Sequence, residues 1–274
     1  MQVLGILGRD AGALCSDVVA QLDGTVAVIQ TQQTTDQIST GAQTISPDVT
    51  TQYDLTNDGR WHANGENRNI SDILDELSTT VDYTLVIGAS SARIPTVALD
   101  TAVTDSNFGS ESNHVVLSGE SAATVDVSEV VAAVETAEPY ITLSTLVERV
   151  KASSEAGRAG AIATFTGRVR ARDDDDDPKT VSLRFETYDS VADDRMREIE
   201  SELIERDGVF AVELFHKTGV INNGEDIVFV VVLAGHRQEA FETVSDGINR
   251  LKAEVPIFKH ETTVEEDFWV HKRD

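Results

Sequence analysis

One cysteine, Cys15, stands in 274 residues, which excludes an internal disulfide framework and any multi-cysteine metal site. Cys15 itself reads as a small core residue. No run approaches the roughly 18 consecutive apolar residues of a membrane span, although 40% of the chain is apolar. The first residues, MQVLGILGRD, carry no positively charged leader and run straight into strand-like sequence, so the expected location is the cytoplasm. Lysine is scarce: six in the whole chain, none before Lys151.

Acid is abundant instead. Against 22 basic residues stand 48 acidic ones, a net charge of −26. Such a surface repels nucleic acid and anionic membranes and keeps the protein soluble by self-repulsion. It suits a salt-rich cytoplasm, where the Debye length falls to ~3 Å at 1 M, so a halophilic source is expected. The run Asp173 to Asp177 reads as a solvated loop, because consecutive carboxylates fan out and seldom converge on one ion. No metal site and no cofactor are expected.

The style of the chain changes at ETAEPYITLS, where Pro139 breaks a helical pattern and Thr142 or Ser144 offers a cap for the next helix. Two domains are expected, 1–138 and 139–274. In the first, QVLGILG, GTVAVIQ, DYTLVIGAS and PTVALD are buried-type strands, with helix-like ALCSDVVAQL between the first two. Alternation of this kind predicts an α/β domain, a parallel sheet covered by helices. The polar stretch 31–70 is expected to be a long loop or eroded insertion, and NISDILDELS a helix capped by Asn69 or Ser71.

The turn Gly8-Arg9-Asp10-Ala11-Gly12-Ala13-Leu14 sits where a phosphate-binding P-loop would. Such a loop needs a lysine to reach the phosphates and a hydroxyl for magnesium. Here the lysine position is lost, so nucleotide binding is disfavoured. In the order of GILGRDAGA, VAVIQ and DYTLVIG…IPTVAL this half resembles the MobB-like family of GTP-binding accessory proteins of molybdenum cofactor biosynthesis. It is identified as a degenerate P-loop domain of that kind.

In the second half, GAIATFTGRVRA, TVSLRFETY, VFAVELFHKTG and DIVFVVVLAG read as strands. VADDRMREIESELIERDG and HRQEAFETVSDGINRLKAE read as helices, the latter stopped before Pro256. That order predicts an α+β domain with a mostly antiparallel or mixed sheet. On the last helix, residues 240, 244, 248 and 252 form one i+4 row. Ala240, Val244 and Ile248 are apolar, so Lys252 is expected to continue a buried row. A partly desolvated lysine there would serve as base, acid or nucleophile, and a snorkelling lysine at a helix end fits the pattern equally. His236 and Arg237 stand at the start of the same helix, where cations oppose the dipole unless an anion binds or nearby acids pair with them. No second His or Cys stands at ligand spacing beside His236. Arg168, Arg170 and Arg172 alternate and are expected to share one side of a strand. With Arg237, Lys252 and Lys259 they would form a basic spot for an anionic ligand. Nucleic acid is not the expected ligand, since few aromatics accompany these arginines.

GAIATFTGRVR, HKTGVINNGEDIVFV, AGHRQEAF, LKAEVPIFKHE and the closing DFWVHKRD resemble, in order, the large catalytic subunit of molybdopterin synthase, the MoaE family, over residues ~140–274. The resemblance implies a sulfurtransferase. Its substrate would be cyclic pyranopterin monophosphate, and its sulfur would come from the C-terminal Gly-Gly thiocarboxylate of a small ubiquitin-like subunit. It further implies a homodimer within a heterotetramer. Position by position, the family's essential lysine falls on Lys252 and the second lysine on Lys259. Arg170, His236 and Arg237 fall on anion-binding positions, and Arg273 on a C-terminal arginine that reaches the neighbouring subunit's site. Phe165 falls on an apolar core position. The alternative from another class is a noncatalytic scaffold that docks ubiquitin-like partners and molybdenum cofactor enzymes.

Overall fold

A computed structural model describes residues 1–31, 50–88, 93–100, 115–172, 174, 177–265 and 267–270. The chain divides into two compact units, Met1–Tyr140 and Ile141–Asp274. Among the described residues no helix is long and apolar enough to cross a membrane.

The first unit is built on five parallel strands: β1 (Gln2–Gly8), β2 (Val26–Gln30), β5 (Tyr83–Ile87), β6 (Thr96–Leu99) and β7 (Val115–Gly119). Their order is β2-β5-β1-β6-β7. Both faces are covered, which is why YTLVI and QVLGILG read as unbroken apolar runs. Helix α1 (Ala11–Val19) turns Ala11, Leu14, Cys15 and Val18 inward and packs with α3 (Val127–Glu135) over Leu4, Ile6 and Leu85. On the other face α2 (Ile70–Leu77) sets Leu74 against Val3, Val86 and Ile94. Of the two caps the sequence offers, Asn69 is the one used, in a reciprocal pair with Asp72. Cys15 is buried, and burial raises its thiol pKa.

Residues 51–65, expected to be loop, form a hairpin of β3 (Thr51–Leu55) and β4 (Trp61–Gly65). Its two strands are so polar that alternation alone did not mark them. The remainder of the expected loop, 32–49, lies outside the described residues.

The second unit opens with α4 (Leu143–Lys151), capped by Thr142. Two antiparallel sheets follow. One, in the order β10-β12-β8, comprises β8 (Ala161–Arg168), β10 (Val209–His216) and β12 (Asp226–Ala234). The other, β11-β9-β13-β14, comprises β9 (Thr180–Thr187), β11 (Gly219–Asn222), β13 (Ile257–Thr263) and β14 (Asp267–Val270).

Strand β12 is central and buried on both sides. Its Phe229, Val231 and Leu233 meet Leu146 and Val150 of α4. Its Val228, Val230, Val232 and Ala234 meet α5 (Asp189–Ile204) and α6 (Arg237–Glu254). Gly247 lets α6 lie close to the sheet, since a Cβ there would come within 3.1 Å of Val230 Cγ1. Val255, held extended at φ −82° and ψ 126° before Pro256, ends α6 and sends the chain into β13.

Candidate functional site

Only Gly235 and His236 separate the end of β12 from the start of α6, which packs on β8 and β12, so it must run back over the sheet. Its last turn therefore lies at the end of the sheet where β8 finishes and β12 begins, with Arg168 paired to Asp226. His216, opposite Val228, marks the same end of β10. Lys252, Arg170 and the start of β13 thus share one end of the unit.

Lys252 is exposed. It does not continue the buried row as expected. Each i+4 step advances about 40° around a helix, so three steps carry a side chain roughly a third of a turn away from the core. The row opens accordingly, from Ala240 at 1% exposure to Val244 and Ile248 at 8%, and then to solvent; Leu251, at 2%, takes the buried seat instead. Lys252 stands in the last turn of a helix, where the dipole favours a cation, and it makes no ion pair among the described residues. Below it the helix end is clamped. Glu254 accepts from Arg250 Nε at 2.9 Å and from Arg195 of α5, while Arg250 also binds Glu202. Hydrogen bonds from Arg250 and Arg195 hold the Glu254 carboxyl down at about 2.

Lys259 lies in β13 and is half-buried. It stands directly opposite Phe185 of β9, on the face that carries Leu183, Ile221 and Ile257 inward. Its ammonium lies 3.4 Å from Glu261 Oε2, and Glu261 Oε1 accepts the Thr180 hydroxyl at 2.6 Å. Glu261 is thus pinned from one side and steers the lysine from the other. Its role is invisible in sequence, because a glutamate two residues from a lysine becomes a partner only when a strand puts both on one face.

Arg170 is exposed. The expected arginine row is not formed, because β8 ends at Arg168. Val169 turns inward and exchanges backbone bonds with Gly224 and Glu225, so Arg170 and Arg172 follow an irregular segment. Arg168 is tied to Asp226 at 3.2 Å and to the Gly224 carbonyl. Asp173, Asp175 and Asp176 of the acidic run lie outside the described residues, as does Arg273.

His236 caps the start of α6 and Arg237 is its first residue; both are exposed, and the His236 side chain makes no capping bond. Fifteen residues of helix separate Arg237 from Lys252, roughly 22 Å at the α-helical rise. Within one chain Lys252 and the His236–Arg237 pair therefore stand at opposite ends of the helix.

His216 was not singled out by sequence. Its Nδ1 lies 2.8 Å from the Lys217 carbonyl, and its ring meets Phe185 edge-on at 4.7 Å. Burial pushes its imidazolium down to about 4, so it is neutral at pH 7. Among the described residues no group of three or more His, Cys, Asp or Glu is placed to hold a metal ion.

What these elements define is an α+β unit with a cationic end in an otherwise acidic chain. Residues 136–254 match the MoaE protein family. A probable molybdopterin synthase of Haloferax volcanii is 50% identical over 275 residues, spanning 100% of both chains. A molybdopterin synthase catalytic subunit of Pyrococcus abyssi is 34% identical over 124 residues, 45% of this chain and 82% of that one. A solved MobB protein homologue of Bacillus stearothermophilus aligns with 50% of this chain and 99% of its own, at 18% identity and a TM-score of 0.36. The chain belongs to the molybdopterin synthase family, with the MoaE domain in its second half, and so to the enzymes of molybdenum cofactor biosynthesis.

Proposed function

We propose that this protein converts cyclic pyranopterin monophosphate to molybdopterin, taking sulfur from the thiocarboxylated C-terminus of a small ubiquitin-like subunit. The observation that carries the reading is the placement of Lys252 and Lys259 on either side of the α6–β13 turn of the MoaE unit, one exposed and one paired with Glu261. Each transfer forms a carbon–sulfur bond to the pterin side chain and breaks a carbon–oxygen bond there, one opening the cyclic phosphate to a monoester and the other releasing water; at the donor, water enters at the acyl carbon as its bond to sulfur breaks, leaving a carboxylate. Lys252 moves the protons of these steps or attacks the acyl carbon transiently, as an exposed amine at a helix end can. Lys259 and Arg170 bind the anionic pterin phosphate.

The 22 Å span of α6 supports a site shared between two copies of the chain, with Lys252 and Lys259 from one and His236 and Arg237 from the other. Lys252→Ala and Arg237→Ala proteins, each inactive alone, are then mixed and refolded together. Mixed dimers carry one intact site, so about a quarter of wild-type activity returns. No recovery would assign every residue to a site within one chain. The reaction itself is tested in high salt with the full chain, a thiocarboxylated small partner and the cyclic precursor, by assay for the dithiolene. A protein that binds the partner and leaves its sulfur unconsumed is the scaffold instead.

A further inference from the structure

Among the described residues one ring contact, His216 with Phe185, joins the two sheets of the second unit, beside the packing of Ile227 against Leu183, Phe185 and Ile221. His216 closes β10, and the centre of its imidazole lies 4.7 Å from that of the Phe185 ring, edge to face at an interplanar angle of 74°. Phe185, in the middle of β9, is buried at 6% exposure. Its two cross-strand neighbours are Lys259 in β13 and Gly219 in β11. Gly219 brings no side chain, so on that flank no cross-strand group restrains the ring. Opposed residues of an antiparallel pair have their Cβ atoms about 5 Å apart on the same face, so the Phe185 ring lies beside the lysine stem.

The imidazole is itself fixed. A carbonyl oxygen accepts and cannot donate, so the 2.8 Å contact of Nδ1 with the Lys217 carbonyl places the ring proton on Nδ1. That bond sets the ring plane, and burial keeps the ring uncharged at pH 7.

We propose that His216 is a positioning residue of the lysine site: its imidazole holds the Phe185 ring, and Phe185 holds the stem of Lys259. This rests on the proposed role of Lys259, and the test separates the two. The full chain is labelled at lysine 13Cε, giving six lysine signals, with Lys259 assigned by its loss in Lys259→Arg. His216→Ala and Phe185→Leu are compared with wild type for the Lys259 signal, for kcat and KM in the synthase assay, and for thermal melting.

In both variants the Lys259 signal moves toward the position of solvent-exposed lysines, the Lys252 signal stays in place, and kcat/KM falls about ten-fold, as a displaced positioning group predicts. A folded His216→Ala protein with an unmoved Lys259 signal would overturn the proposal. So would equal shifts of all lysine signals, which mark general loosening. Where His216→Ala does not fold, Phe185→Leu gives the same reading. A wild type that makes no product would sink the proposed reaction, while the Lys259 signal would still decide whether His216 positions it.

Discussion

The two units of this chain keep their loops on different terms. In the first, β1 passes into α1 through Arg9 and Asp10 alone, with Gly8 at φ +108° and Asp10 left-handed at φ +63°. A Cβ on Gly8 would lie 1.6 Å from the Leu99 carbonyl oxygen. The turn is filled by the protein's own backbone, and the unit has no lysine to bring to a phosphate. In the second, α6 passes into β13 through Val255 and Pro256, and this turn is flanked by Lys252 and Lys259, two of the chain's six lysines. One strand–helix junction is closed by the chain's own backbone, and the other is flanked by two cations. The contrast is one ground for assigning the proposed chemistry to the second unit.

The comparison is broken most directly at the lysine. Lys252→Ala is expected to lower the rate of dithiolene formation about 10³-fold, the scale of a lost acid–base or nucleophilic group. Because the side chain is exposed, the melting temperature should stay close to that of wild type. The converse change is Gly8→Ala. It forces a left-handed backbone and a clash with Leu99, and should cost about 3 kcal/mol in calorimetric unfolding of the first unit. Activity per folded molecule should hold, and a fall in kcat would show that the first unit takes part in the chemistry.

A smaller effect concerns stability in the second unit. Glu200 of α5 accepts the Leu214 amide at 2.6 Å, and burial, against that bond, raises its carboxyl to about 7. Glu213 lies nearby and pushes the same way, while Arg197 and Arg149 pull it down. The protonated form is favoured on folding, so its contribution is full below the ordinary carboxylate pKa and is lost as pH rises through 7. Glu200→Gln should therefore stabilise the protein at pH 8 by about 2 kcal/mol and by little at pH 4 in denaturant titrations, an effect of the size expected for a shift of this kind. The smallest expected change is at the lysine's partner. Glu261→Gln keeps the Thr180 contact and loses the ion pair, so KM for the pterin should rise about three-fold with kcat nearly unchanged, in the range of a partly exposed pair.

Much of the fold was legible because its elements obey one period each. YTLVI and DIVFVVVLA read as buried strands because both faces of each are covered. Asn69 and Thr142 announced helix starts through side chains that reach the third amide. The hairpin at 51–65 was hidden, since Gln52, Asp54, His62 and Asn64 give its strands the composition of a loop. At the site, the lysine pair and Arg170 stood out in sequence as cations in an acidic chain. The exposure of Lys252 did not, because an i+4 row drifts around its helix and only the length of α6 decides where it leaves the core. Nor did the end of β8 at Arg168, where Val169 bonds to a turn more than fifty residues away. The neutrality of His216 likewise depends on a sheet contact that no local pattern carries.

The measurement that bears most directly on the account is the high-salt reconstitution of the full chain with a thiocarboxylated small partner and cyclic pyranopterin monophosphate, run for wild type and Lys252→Ala. Dithiolene from the wild type, with consumption of the partner's sulfur and its near loss in the variant, is the predicted result. A wild type that binds the partner and leaves its thiocarboxylate intact would contradict it.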